Sequence, residues 1–357
     1  MSFSATYPFD PPLLPPKINF REESFIDLLL KARTELAELK GYSSALPNPM
    51  ILLSPAVLRE SVASSKIENI NTTVENVLQM QLFPEVEQRE PDKEVLHYKE
   101  AVLWGSGQLQ KISISTRLIT GIHQRLLPET KSAYRKVQNT IADVQTGEVF
   151  YTPPEAQKIP GLISNWERFL NTEDNIDPLI KCIIAHYQFE AIHPFGDGNG
   201  RIGRILMVLY LIQKEVLSYP ILYISGYINK NRTEYYRLLN NVSAKEQWNE
   251  FIIYLLQGFY LQAKETKTSL MTAMKILHDT KELVKTKNPK IYSSDLIEVL
   301  FTNPIVSPVS LGRTLGIHYT TASRYLIALN KIGIITDVVV GKYHLYANKK
   351  LLNILKH

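Results

Sequence analysis

A single cysteine in 357 residues, Cys182, excludes an internal disulfide, and its apolar neighbours make it a small buried hydrophobe. The expected location is therefore a reducing cytoplasm. Long hydrophobic runs are missing too. The most apolar stretches, Ile205 to Ile212 and Phe251 to Tyr260, fall short of the roughly 20 residues of a membrane span, so both read as core helices and no membrane partner is expected. The opening residues, MSFSATYPFDPPLLPP, lack a basic start followed by an apolar core. They read as an extended arm stiffened by proline, not as an export signal. No internal repeat is visible, and the P-loop spacing G-x-x-x-x-G-K-[ST] does not occur.

What is present is the composition of an ordinary globular chain. Hydrophobic residues make up 45% and charged residues 21%, far from the low-hydrophobicity, high-charge balance that stays disordered. The length allows two or three domains. The spacing is mainly helical. A helix over Phe20 to Leu39 meets Gly41, a common stop; the next opens with Ser54 as cap and Pro55 at the first helical position and ends near Asn69 to Asn71. Thr72 and Glu75 then form a capping box for a following helix. Further helices are read at 97–109, 115–127, 159–170, 179–192, 200–213, 233–241 and 247–262. Between Tyr134 and Tyr151, β-prone residues flank Thr146 and Gly147 and predict a short hairpin, closed by Pro153 and Pro154. The lysine-rich stretch 281–290 reads as a solvated connector.

The chemistry concentrates in one connector, His193-Pro194-Phe195-Gly196-Asp197-Gly198-Asn199-Gly200-Arg201-Ile202-Gly203-Arg204. Gly196, Gly198 and Gly200 let the backbone turn tightly and approach a ligand. A helix beginning near Asn199 points unpaired N–H groups and its positive end at the loop, which makes an anion site. Arg201 and Arg204, three residues apart, can both reach a phosphate chain. Asp197 is a hard oxygen ligand of the kind that holds Mg²⁺ when phosphates complete its shell. His193, titrating near neutrality, can take a proton from an attacking hydroxyl. Phe195, apolar in a polar loop, is expected to anchor the loop in the core. Taken singly, a glycine-rich turn and a histidine are ordinary structure; together these groups have complementary roles in one reaction.

The segment resembles the motif of the Fic family, H-P-F-x-[D/E]-G-N-G-R-x-x-R, and matches every defined position. The resemblance implies a mainly α fold: a helical Fic core with a short β-hairpin flap, an N-terminal helical region before it, and a small winged-helix α/β domain after it. It also implies transfer of AMP from Mg-ATP to a Ser, Thr or Tyr hydroxyl of a protein, with release of pyrophosphate. By likeness, His193 is the base and Asp197 the Mg²⁺ ligand. Gly198, Asn199 and Gly200 with Arg201 form the phosphate cradle, Gly196 and Asp197 join them in the ATP site, and Arg204 holds the γ-phosphate. Ile141 to Tyr151 corresponds to the flap that pairs with a target backbone. Where relatives often carry glycine before the arginine that is Arg135 here, this chain has Ser132-Ala133-Tyr134. Tyr235 and Tyr236 correspond to a tyrosine pair near the adenine, although paired aromatics at a helix start are as often core.

A second segment, Ser61 to Asn69, resembles the family's inhibitory motif [S/T]-x-x-x-E-[G/N]. On a helix Ser64 and Glu68 are one turn apart and share a face. A carboxylate near a helix C-terminus opposes the dipole unless a cation compensates it, and by likeness that cation is Arg204. The expected layout is an N-terminal region over 1–110 carrying the inhibitory motif 64–69, a catalytic core over 111–265, a helical connector over 266–290 and the winged helix over 291–357.

In that last segment, 309–316 and 320–332 read as two helices joined at Ile317 to Tyr319. Strands follow around Gly341-Lys342. Thr320, Thr321, Ser323 and Arg324 fall on the would-be recognition helix and Lys342 at the wing tip. Seven Lys or Arg against three Asp or Glu leave the segment positive, which is compatible with DNA but modest. The expectation is a regulated adenylyltransferase with ATP and a hydroxyl-bearing target as partners. Self-modification, a homodimer, another phosphate-linked donor and AMP removal stay open, and the rival reading is a nucleotide-sensing, DNA-binding transcription regulator.

Overall fold

The structure is a computed structural model that describes residues 3–46, 48–131, 133–142 and 146–356. The N-terminal region holds α1 (Glu23–Ser44), α2 (Met50–Ile67), α3 (Val74–Met80) and α4 (Glu90–Gln108). Next come α5 (Thr116–Leu126), the hairpin β1 (Ile141–Ala142) and β2 (Val149–Tyr151), then α6 (Ile159–Asn171), α7 (Pro178–Ile192) and α8 (Asn199–Gln213). They are followed by α9 (Ile224–Lys230), α10 (Arg232–Lys245) and α11 (Trp248–Lys287). The C-terminal part comprises α12 (Ser294–Thr302), β3 (Ile305–Val306), α13 (Pro308–Leu315), α14 (Tyr319–Lys331), β4 (Thr336–Val340), β5 (Tyr343–Ala347) and α15 (Lys349–Lys356). Its three strands lie in the order β3-β5-β4, all antiparallel.

α7 and α8 are apolar on nearly every side and are buried over most of their length, as helices at the centre of a domain must be. The loop between them therefore opens at the tip of a rigid, buried helix pair. Asp177 caps α7, its carboxylate accepting from Leu179 N at 2.8 Å. The N-terminal arm lies against this centre without regular structure. Gln188 donates to Pro12 O, Asn165 and Leu14 bond each other twice, and Phe9 N donates to Thr152 O just past β2.

Several boundaries differ from the spacing. α1 runs through Gly41 to Ser44, because packing along α11 carries it past a residue that local propensity alone would use as a stop. α2 begins at Met50, so Pro55 lies inside the helix and Ser54 is no cap. Ser54 Oγ instead accepts from Lys99 Nζ at 2.9 Å. Burial of α2 against α4 and α9 outweighs the backbone bond that Pro55 removes. The cap of α3 is Thr73, which accepts from Asn76 N, while the Thr72 hydroxyl donates to buried Asp92. The stretch read at 247–262 and most of the one at 281–290, through Lys287, belong to one helix of 40 residues, about 60 Å long at 1.5 Å per residue. α9, α12 and α15 have no counterpart in the spacing. Of the expected hairpin at Ile141 to Tyr151, residues 143–145 lie outside the described residues, as does Ser132. Among the described residues no helix is long and apolar enough to cross a membrane.

α13 and α14 with the β4–β5 wing have the expected helix-turn-helix and wing order, with Gly316 at φ 66° ending α13 and Gly341 at φ 56° in the wing turn. This module leans on the N-terminal region. Leu58 of α2, Val77 and Leu78 of α3 and Val95 of α4 share one apolar cluster with Ile305, Leu345 and Leu352. At the wing tip, Lys342 Nζ and the Tyr343 hydroxyl both reach Glu87, each at 2.9 Å, and Tyr343 stacks on Phe83. Leu58→Ala should therefore lower folding stability by about 2–5 kcal/mol, the range for emptying a packed leucine site. A denaturant midpoint that does not move would show that the module contributes nothing to holding α2.

Candidate active site

The site begins where α7 ends. His193 is the C-cap of α7 in the left-handed region, φ 48° and ψ 61°, a conformation that costs free energy for a residue with a Cβ. Arg135 holds it there. Its Nε donates to His193 O at 3.0 Å and its backbone N to Pro194 O at 2.9 Å, while other guanidinium nitrogens reach Val137 O and Pro154 O. One buried arginine thus ties the motif loop to both ends of the hairpin segment. Phe195 is fully buried and stacks on His123 with ring centroids 4.2 Å apart, as its isolation among polar residues suggested. The Asn199 side chain closes the loop by bonding both the N–H and the C=O of Phe195 at 2.9 Å.

The loop enters α8 through Gly198, whose φ of 81° suits glycine. No side chain caps α8, so the N–H groups of its first turn face the loop, as in an anion site. Asp197 Oδ1 accepts from Gly198 N at 2.6 Å, and Oδ2 lies 3.4 Å from Arg201. His193 is half-buried, and the loss of water around its ring pushes the imidazole down to about 4, more than the Glu68 charge raises it. It is neutral near neutral pH, the state a base requires, and its Nδ1 has no hydrogen-bond partner.

Arg204 lies one turn into α8 and its side chain is only 1% exposed. Three groups of α2 meet it. Ser64 Oγ accepts from Nε at 2.8 Å, Ser64 O from NH2 at 3.0 Å, and Glu68 Oε1 from NH2 at 2.7 Å. Burial alone would raise the Glu68 carboxyl, but the charge and hydrogen bond of Arg204 outweigh it and hold the group below its usual range. Arg204 in turn is held more firmly protonated by Glu68 despite its burial.

The end of α2 is built to present that carboxylate. Glu68 is its C-cap, and Asn69 follows at φ 64°. Ile70 N donates to Ser65 O and Asn69 N to Lys66 O, each at 3.1 Å, which is a Schellman turn with asparagine in the left-handed position. The Glu68 carboxylate lies over the first turn of α8: a Cβ on Gly200 would meet Glu68 Oε1 at 2.5 Å. It occupies the place where the open helix start would receive an anion.

The tyrosine pair is divided. Tyr235 is buried, and its hydroxyl bonds His186 Nε2 at 2.8 Å, so it takes the core alternative. Tyr236 is 42% exposed, beside Arg232. Spacing gave no hint of several other groups here. His186 and Glu190 of α7 pack against Gly203, where any Cβ would strike the Glu190 carboxyl. Burial raises Glu190 to about 7 and lowers His186 to about 3. Glu60 of α2, buried and raised to about 7, accepts from the backbone N–H of Ser225 at 3.0 Å and from its hydroxyl. Glu94 of α4 pairs with Arg201 at 2.8 Å. A carboxylate inside an otherwise amphipathic helix carries no signal of its partner. The relations visible along the chain are the short-range ones, His186 with Glu190, Asp197 with Arg201 and Arg201 with Arg204.

Residues 113–211 match the Fic/DOC family, 26–106 the Fic/DOC family N-terminal region, and 276–351 the protein adenylyltransferase SoFic-like C-terminal domain. The chain is 28% identical over 227 residues to a probable protein adenylyltransferase of Aquifex aeolicus, covering 61% of this chain and 63% of that one. It is 31% identical over 137 residues to the protein adenylyltransferase Fic of Drosophila melanogaster, covering 37% of this chain and 25% of the fly protein. It thus spans less than two thirds of the first relative and a quarter of the second. A Fic family protein from Desulfovibrio desulfuricans shares the fold, with a TM-score of 0.59, 18% identity and coverage of 94% of this chain and 97% of that one.

A double-mutant cycle of Glu68→Gln and Arg204→Gln should give a coupling of about 1–3 kcal/mol, between the values for exposed and for fully buried ion pairs, because one partner is buried and the other is 33% exposed. Additive effects would show that the two side chains do not hold each other.

Proposed function

We propose, from the premise that the chain belongs to the Fic/DOC family, that it is a protein adenylyltransferase restrained by its own Glu68. The observation that carries this reading is the buried Arg204 held by Ser64 and by Glu68, whose carboxylate also acts on the neutral imidazole of His193. A guanidinium in that place is costly to keep unless an anion is to meet it. The open start of α8 supplies the other donors a triphosphate needs.

With Glu68 withdrawn, the phosphates of ATP would lie along the first turn of α8, with Arg201 in the cradle and Arg204 on the γ-phosphate. His193 would take the proton from a Ser, Thr or Tyr hydroxyl of the target as its oxygen attacks the α-phosphorus. The bond from that phosphorus to the bridging oxygen breaks, and pyrophosphate leaves. Holding the nucleotide in line with the acceptor is the larger part of such catalysis. Glu68 on Arg204 removes the group that orients the γ-phosphate. Among the described residues no three His, Cys, Asp or Glu could hold a metal by themselves. Asp197 fits instead a Mg²⁺ that arrives with the nucleotide, keeps phosphate and water ligands, and neutralises phosphate charge. Tyr236, with its exposed face, is the member of the pair suited to adenine. The β1–β2 hairpin, tied to the motif through Arg135, is suited to position a target strand or a segment of this chain.

Glu68→Gly should raise AMP transfer to protein, and His193→Ala should abolish it in that background. Label should move from α-labelled ATP and not from γ-labelled ATP; transfer from the γ position would replace this reaction with a kinase. In the Glu68→Gly variant, kcat/KM should stay level from about pH 7 down to about pH 5, because a base held near 4 is still unprotonated there. An acid limb centred at the ordinary imidazole value of about 6.5 would show a solvent-like His193.

A further inference from the structure

We infer that Glu94 is a second carboxylate that weakens nucleotide binding here, by neutralising Arg201 as Glu68 neutralises Arg204. The inference rests on the proposed nucleotide site and adds a residue of α4 to it. Arg201 lies in the first turn of α8, with a side chain only 3% exposed. Its NH1 donates to Glu94 Oε2 at 2.8 Å, its NH2 is 3.4 Å from Asp197 Oδ2, and its buried Nε has no partner. Two of its five N–H donors already face carboxylates, so a phosphate arriving at the cradle meets a guanidinium whose charge is already balanced.

Charge matching gives the same direction. Two guanidiniums, Arg201 and Arg204, meet three carboxylates, Glu68, Glu94 and Asp197. Magnesium brought with the nucleotide offsets Asp197, and departure of Glu68 frees Arg204. Glu94 remains on Arg201 throughout, 34% exposed at the edge of the site, where it repels an incoming triphosphate. Like Glu68, it comes from the stretch 26–106 that matches the Fic/DOC family N-terminal region, while Arg201 and Arg204 belong to the stretch 113–211. The two carboxylates also share a support. Asp92, two residues before Glu94, is buried and accepts from the hydroxyl of Thr72, four residues after Glu68, and from Arg89 Nε at 2.7 Å.

The test is calorimetric titration of Mg-ATP into the full chain carrying His193→Ala, which prevents turnover, with Glu68→Gly as the parent. Adding Glu94→Gln, which keeps a hydrogen-bond acceptor for Arg201 and removes only the charge, should tighten Kd about tenfold. Glu94→Ala should bind at least as tightly as the parent. Weaker binding by Glu94→Ala, or no change with Glu94→Gln while the parent still binds, overturns the inference and makes Glu94 a prop for Arg201. No binding by the parent or by any variant removes the nucleotide site itself, and this inference with it.

Discussion

Everything around the site follows from keeping one guanidinium out of water. Arg204 is almost wholly buried between α8 and α2, and an unmatched charge there would cost several kcal/mol. α2 meets the need with a hydroxyl, a carbonyl and a carboxylate on one face. Ser64 and Glu68 can do so only because the helix ends in a tight turn that leaves the carboxylate at its last position and sends the chain away at Asn69. The position is unfavourable for a carboxylate by the helix dipole alone, so the arginine and the glutamate stabilise each other's placement.

That arrangement depends on how closely the helices approach. Gly200 and Gly203 face, respectively, the Glu68 carboxylate and the Glu190 carboxyl, and a methyl group at either would force the partner away. Two glycines in the first turns of one helix therefore set distances to two different neighbours. His193 is shaped by the same crowding: burial keeps its imidazole neutral, and Arg135 holds its strained backbone through the carbonyl. His193, the start of α8 and Glu68 are thus placed by backbone geometry more than by flexible side chains.

The C-terminal module is joined to this machinery twice. The long helix α11 runs without interruption from the core to the module, and the apolar cluster around Leu58 packs the module onto the helix that carries Glu68. The wing tip is turned inward, Lys342 and Tyr343 on Glu87, just ahead of the helix that carries Glu94. A module that shares a core with α2, α3 and α4 holds Glu68 in register, because displacing it would expose Leu58 and its neighbours.

The cluster from His193 to Arg204 stood out from the chain alone, because it is local, whereas the meeting of Glu68 with Arg204 was expected only from the family resemblance. Glycines, a histidine, a carboxylate and two arginines within one turn-and-helix must act on a common point, and residues i and i+4 must share a face. The order of the longer helices was legible from periodicity for the same reason, while α9, α12 and α15 were not. The end of α1, the starts of α2 and α3, the unbroken course of α11, the burial of Tyr235 and the pairing of Glu94 with Arg201 were decided by the tertiary structure. Each depends on which surface an element packs against, and periodicity shows that a face is apolar without naming what it meets.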